Sequence, residues 1–166
     1  MNSHPIADRR AFLLGTCAFG VLVACSPAVT VASADEGKFE VTHTDAEWKK
    51  ILGNDAYLVM RHENTEPPGT SPLDAEERTG RYDCAGCALP LFDGATKFHS
   101  GTGWPSFWKP LDNAVATKVD NSLGEVRTEC HCRRCGGHLG HVFDDGPQPT
   151  GLRYCMNGLS LKFVTA

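Results

Sequence analysis

The chain has no basic stripe, no internal repeat, no low-complexity tract and no apolar run long enough to span a bilayer as a mature helix. With a net charge of −4 and charges of both signs scattered along 166 residues, it lacks the dense lysine and arginine patches that neutralise phosphates. That excludes nucleic acid as a main partner. The want of repeats leaves a single domain as the expectation, long enough to bury a real core. The want of a long apolar run excludes a spanning helix in the mature protein.

What the N-terminus does have is Asp8-Arg9-Arg10-Ala11-Phe12-Leu13, an arginine pair leading into a short apolar stretch that ends at Ala24. The stretch has no polar face, so it reads as an export signal of the twin-arginine kind rather than as a buried amphipathic helix. Residues 1–34 are expected to be that signal, cut after Ala32-Ser33-Ala34. The alternative is a lipoprotein signal over residues 1–24, with a lipidated Cys25 and a tether over 25–40. Either way the expected location is the periplasm, free or anchored, with the membrane touched only through the signal or the lipid. Twin-arginine export carries folded proteins, which suits a chain that binds a metal before leaving the cytoplasm.

The functional domain is expected over residues 41–166. Thr44 and Glu47 have capping-box spacing, which predicts a short helix through Leu52 with Gly53 as its stop. A second helix is expected over 56–62, and the Pro67-Pro68-Gly69 cluster predicts a surface loop. From Arg81 onward the pattern becomes short alternating segments. Residues 114–119 and 125–130 read as a hairpin, and 152–155 and 159–164 as two more strands. The fold class is therefore mainly β, antiparallel, with short N-terminal helices and a four-cysteine site.

Of eight cysteines, four form two knuckles, Cys84-Ala85-Gly86-Cys87 and Cys132-Arg133-Arg134-Cys135. Together they offer a soft, tetrahedral ligand set that suits one structural zinc, iron being the main metal alternative. Two disulfides or a thioredoxin-like pair are the competing readings, but neither knuckle opens a helix in a βαβ setting.

Cys155 is left over, between Arg153 and Asn157 on an expected strand, so alternation places all three on one face. Arg153 would favour its thiolate, and an inert core cysteine is the bland alternative. His138, His141 and Asp145 add imidazoles and a carboxylate a few residues away, as acid-base groups, surface histidines or a second metal site. Trp104, in a segment rich in glycine and aromatics, could wall an apolar slot. A Cys-His hydrolase would use the same residues, with no oxyanion pocket in evidence.

The knuckles, Ser100-Gly101-Thr102-Gly103-Trp104-Pro105-Ser106-Phe107, His138-Leu139-Gly140-His141-Val142-Phe143 and Arg153-Tyr154-Cys155-Met156-Asn157 occur in this order. In them the chain resembles the methionine sulfoxide reductase B family, over about residues 44–163. The resemblance implies thiol-dependent reduction of methionine-R-sulfoxide, free or in oxidised proteins and peptides, through a Cys155 sulfenic acid. It implies that Trp104 holds the substrate methyl group and that His138, His141, Asp145 and Asn157 act around the sulfoxide oxygen, with Arg153 beside the thiolate. It also matches the zinc-bearing branch of the family, and implies a thioredoxin-like or other thiol as reductant. Many members carry a resolving cysteine where this chain has Thr102, so an external thiol or another cysteine must reduce the sulfenic acid. Cys130 is the one spare cysteine in the domain, either the resolving residue or a bystander beside the metal. The alternative from a different class is a non-catalytic zinc-ribbon-like binding module.

Overall fold

The structure is a computed structural model that describes residues 39–166. The expected export signal, with its alternative break at Cys25, lies outside the described residues. Among those described, no helix is long and apolar enough to cross a membrane.

Helix α1 spans Asp45–His62 and is broken at Gly53, whose φ of 74° no helix tolerates, so the two expected short helices appear as one element with a kink. Its start is the expected capping box. Glu47 Oε2 accepts the Thr44 amide at 2.8 Å, and Thr44 Oγ1 accepts the Glu47 amide at 3.4 Å. The chain leaves the helix through Glu63 in the left-handed conformation. The buried face carries Trp48, Ala56, Tyr57, Val59 and Met60.

All strand pairing is antiparallel, in two sheets. The first has β1 (Gly80–Cys84) between β2 (Pro90–Asp93) and β9 (Leu161–Thr165). The second has six strands in the order β3 (Lys97–Phe98), β4 (Ser106–Phe107), β8 (Arg153–Met156), β7 (His138–Phe143), β6 (Arg127–Cys132), β5 (Val115–Asp120). The expected hairpin is β5–β6, set one to two residues later than the alternation suggested. The last expected strand begins with a 3-10 turn over Gly158–Ser160.

The sheets meet through aromatic side chains. Phe92 of β2 stacks on Phe107 of β4 at 4.3 Å, Tyr82 of β1 meets Phe107 edge-on at 4.9 Å, and Phe92 reaches Tyr154 of β8 at 6.0 Å. Each such ring contributes about 1.5–3 kcal/mol by burial. Tyr154 and Met156 of β8 therefore face the core, and alternation turns Cys155, between them, to the opposite side of the six-stranded sheet.

Candidate functional site

Cys155 pairs with Ser106 on one side and with His141 on the other, and His141 pairs in turn with Glu129. One row across four strands thus presents Ser106, Cys155, His141 and Glu129 on the same face. His138, three residues before His141, would point the other way in a regular strand. It does not, because the β6–β7 register shifts between Cys130 and His131. The bulge adds a residue to β7 and restores His138 to the side of His141. Its cost is met locally: the Leu139 carbonyl accepts the Asn157 amide at 2.7 Å, Asn157 Nδ2 at 3.1 Å and Ser160 Oγ at 3.3 Å. Gly140 is required here, since a Cβ would lie 2.1 Å from the Cys155 carbonyl oxygen.

Cys155 is half-buried at the side of a cleft of about 130 Å³, lined also by Thr65, Trp104, Arg127, Gly140, His141, Phe143 and Asn157. The fold thus gathers Cys155, Trp104, His141 and Asn157 around one space. Trp104 is pinned by its indole N–H to the Glu66 carbonyl at 3.1 Å. Glu66, almost wholly buried, holds the seam together: its carboxylate accepts the Gly158 and Leu159 amides at 2.6 and 3.0 Å, and its own amide donates to Asn157 Oδ1 at 3.0 Å.

The histidines differ. His141 Nε2 lies 2.8 Å from Asp120 Oδ2, and burial pushes its pKa down against the pull of that carboxylate. Asp120 is held well below the usual carboxylate range by hydrogen bonds from Ser122 first, then His141 and Arg127. His138 is not among the lining residues. It sits 5.4 Å from the His141 ring, 2% exposed, with Nδ1 2.7 Å from Glu129 Oε1 and a buried Nε2 that has no partner. Glu129 also takes His131 Nδ1 at 2.8 Å. Burial raises the Glu129 pKa, yet the two imidazoles outweigh it and bring it down to about 2.

Asp145 and Arg153 form a bidentate pair, both contacts at 2.8 Å, with the guanidinium 4.3 Å over the Phe143 ring. Asp145 is exposed and outside the cleft lining. This qualifies the expectation for Arg153. Burial pushes the Cys155 thiol up, and the hydrogen bond from Thr102 and the charge of Arg153, already shared with Asp145, offset it only in part.

Cys130 requires a correction. It pairs with Gly140, which pairs with Met156, so it belongs to the core side of the sheet while Cys155 belongs to the other. It is fully buried, and burial holds its thiol well above the ordinary value. A disulfide with Cys155 would need a side chain to pass through the sheet, so Cys130 is not placed to resolve a sulfenic acid.

The two knuckles close alike. The Ala88 amide bonds the Cys84 carbonyl at 2.9 Å and the Gly136 amide bonds the Cys132 carbonyl at 2.8 Å, each donor residue having positive φ. The four sulfurs lie within 4.8 Å of one another, with Cys84–Cys135 at 3.7 Å and Cys87–Cys132 at 3.6 Å. A tetrahedral ion with bonds of about 2.3 Å to thiolates separates sulfurs by about 3.8 Å, so the cluster fits one ion. A Cβ at Gly137 would come within 3.4 Å of the Cys135 sulfur and 2.6 Å of Met60, so only glycine fits against this side of the cluster. Among the described residues no other group of three or more ligand-type side chains is placed this way.

No motif or spacing marked Thr65, Glu66, Arg127, Asp120 or Glu129 as parts of the site. Comparison with known proteins adds the remaining finding. The family profile described as SelR domain matches residues 52–165. The chain is 50% identical over 126 residues, 75% of its length and 96% of the relative's, to "Peptide methionine sulfoxide reductase MsrB" of Leptospira interrogans serovar Lai. Proteins of the same name from Pseudomonas putida strain W619 and Thiobacillus denitrificans are 50% and 48% identical, over 75% and 79% of the chain and 94% and 96% of their own lengths.

Proposed function

Because the chain belongs to the methionine sulfoxide reductase B family, and is an oxidoreductase, we propose that it reduces the R epimer of methionine sulfoxide through a Cys155 sulfenic acid, at the expense of external thiols. Family membership sets aside the binding-module and hydrolase readings. The observation that carries the finer assignment is the meeting of Cys155, Trp104, His141 and Asn157 around one small cleft.

In this reading the Cys155 thiolate attacks the sulfoxide sulfur while the methyl group lies against Trp104. The oxygen takes a proton from the histidine side of the cleft, where His141 lines the space and His138 stands behind it. Asn157 acts by fixing the Leu139 carbonyl and so the bulge that aims both rings. Arg153, clamped by Asp145, supplies a fixed positive charge on the strand of the nucleophile. Oxygen passes to Cys155, leaving methionine and Cys155–SOH. One thiol then gives a mixed disulfide and water, and a second releases Cys155–SH and the reductant's disulfide. The reductant is a thioredoxin-like protein or another thiol, and the substrate is free or carried by an oxidised protein or peptide.

The metal is assigned as one structural zinc held by Cys84, Cys87, Cys132 and Cys135, supported by the sulfur spacing and the closed, four-thiolate ligand set. When bound it cross-links the end of β1 in one sheet to the β6–β7 turn of the other; no catalytic step passes through it.

The test of the reaction offers purified protein each sulfoxide epimer of N-acetylmethionine with dithiothreitol. Turnover of the R epimer, with none of the S epimer, is the expected result, and turnover of S alone would refute the reading. For localisation we propose twin-arginine export to the periplasm, on the strength of Arg9 and Arg10 before the apolar stretch. Changing both to lysine is expected to retain the protein in the cytoplasmic fraction; export undiminished by the change would overturn this.

A further inference from the structure

We propose that Thr102, standing where many relatives have a resolving cysteine, is a positioning residue for Cys155: it heads a chain of three hydroxyls that can turn a proton toward the sulfur. The part of this that concerns the sulfenic acid rests on the reductase reading above; the part that concerns the thiol does not.

The chain is continuous. Thr102 Oγ1 lies 3.9 Å from Cys155 Sγ, Ser100 Oγ lies 2.8 Å from Thr102 Oγ1 and 2.8 Å from Ser106 Oγ, and Ser106 Oγ lies 3.1 Å from the Trp104 carbonyl. Each hydroxyl has one proton, so the order of donors follows from the fixed end. A carbonyl can only accept, so Ser106 donates to Trp104 and must accept from Ser100. Ser100 then has no proton left for Thr102, and Thr102 alone is free to choose. Beside a thiol, Cys155 S–H donates to Thr102, and Thr102 donates to Ser100. Beside a thiolate, Thr102 turns its proton to the sulfur, and the Ser100 oxygen keeps the Thr102 amide, at 3.4 Å, as its donor. One hydroxyl rotation serves both states, and in the thiolate state only Thr102 Oγ1 donates without accepting.

The other groups around Cys155 are less free. Arg153, on its own strand, is doubly bonded to Asp145; His141 on β7 is bonded to Asp120; Arg127 across the cleft is bonded to Asp120 as well. His138, further in, is tied to Glu129. Ser106 also lies beside Cys155, but its proton goes to the Trp104 carbonyl at 3.1 Å and it is wholly buried, which keeps its bonds from exchanging with water.

The substitution also has a redox consequence. Threonine has no sulfur to displace the hydroxyl of Cys155–SOH, so that species persists until an outside thiol attacks. The S–O bond breaks, the S–S bond forms, and the hydroxyl leaves as water with the proton of the incoming thiol. Thr102 can donate to the sulfur group throughout.

The test follows alkylation of Cys155 by iodoacetamide against pH in the zinc-loaded protein without substrate, with the modified residue located by peptide mapping. Thr102→Val is expected to slow alkylation about tenfold at pH 7.5 and to move the profile to higher pH, because the thiolate loses a charge-assisted donor. Thr102→Ser is expected to restore the wild-type profile. Ser100→Ala is expected to move the profile the other way, by about threefold in rate, because it removes a bond made only in the thiol state. General damage to the site would not move the two variants in opposite directions. Profiles that coincide with wild type, or that both shift upward, would overturn the proposal, and Ser100→Ala decides it alone if Thr102→Val does not fold. No sulfoxide is needed, so an inactive wild type would refute the reductase reading and leave this result standing.

Discussion

Cys155→Ser is expected to lower methionine-R-sulfoxide reduction by at least about 10⁴-fold, equivalent to about 5.5 kcal/mol of transition-state stabilisation, with fold and metal content unchanged. The size follows from the chemistry. In the proposed mechanism the step is attack of sulfur on sulfur, and a thiol ionises many pH units below a serine hydroxyl even where burial raises it. The oxygen accepted from the substrate must also be lodged on an atom from which a second thiol can remove it. The fold should tolerate the change, because the position is half-buried and the Thr102 and Ser106 hydroxyls beside it can bond a serine. Cys130→Ser is the matched control: on the core side of the sheet, it is expected to leave turnover within about twofold, apart from any loss of stability. Steady-state rates with dithiothreitol, together with trapping of the sulfenic acid in oxidised protein, read both variants. Turnover by Cys155→Ser at the wild-type rate would sink the mechanism, and a loss confined to Cys130→Ser would move the chemistry to the wrong face.

What could be read in the chain beforehand divides along a physical line. Features fixed by a few adjacent residues were legible: the Thr44–Glu47 cap, the break at Gly53, the β5–β6 hairpin, the two knuckles, and Cys155 with Arg153 on one strand face. Features that depend on register between distant strands were not. His138 and His141 stand three apart, which in a strand means opposite faces, and only the bulge opposite Cys130 and His131 brings them together. That bulge leaves no mark in sequence beyond Gly140. Likewise Glu66, Asp120, Arg127 and Glu129 look like ordinary solvated charges, yet each is a strut: Glu66 for Trp104 and the turn after β8, Asp120 for His141, Glu129 for His138. The same limit left Cys130 open between a resolving residue and a bystander beside the metal, since its separation from Cys155 is a matter of which side of a sheet each occupies.

Removal of one ligand of the proposed zinc is expected to cost the domain its fold. Structural zinc sites of this kind bind with about 10–16 kcal/mol of apparent free energy, and a domain of this size is stable by about 5–15 kcal/mol in all, so the ion can account for the whole margin. The location makes the argument sharper than the comparison of totals. Cys84 ends β1 in the three-stranded sheet and Cys132 ends β6 in the six-stranded sheet, so the ligands link elements 48 residues apart in number whose sheets otherwise meet through side-chain packing, aromatic rings foremost. Helix α1 depends on the same corner: Arg61 bonds the Cys135 carbonyl at 3.0 Å and stacks over Trp48 at 4.9 Å, and Trp48 and Met60 pack against the knuckle glycines. Without the ion, three buried thiols and the half-buried Cys87 would face one another, and ionisation of more than one would set like charges side by side. Cys132→Ser, whose hydroxyl is a poor ligand, is therefore expected to give protein without zinc, with a near-ultraviolet circular dichroism signal largely lost and no sulfoxide turnover, although Cys155 and its cleft are untouched. Wild-type protein should carry one zinc per chain by elemental analysis and lose its thermal transition on prolonged chelation. A metal-free Cys132→Ser protein that keeps its transition and its activity would show that the aromatic interface holds the sheets together without the ion.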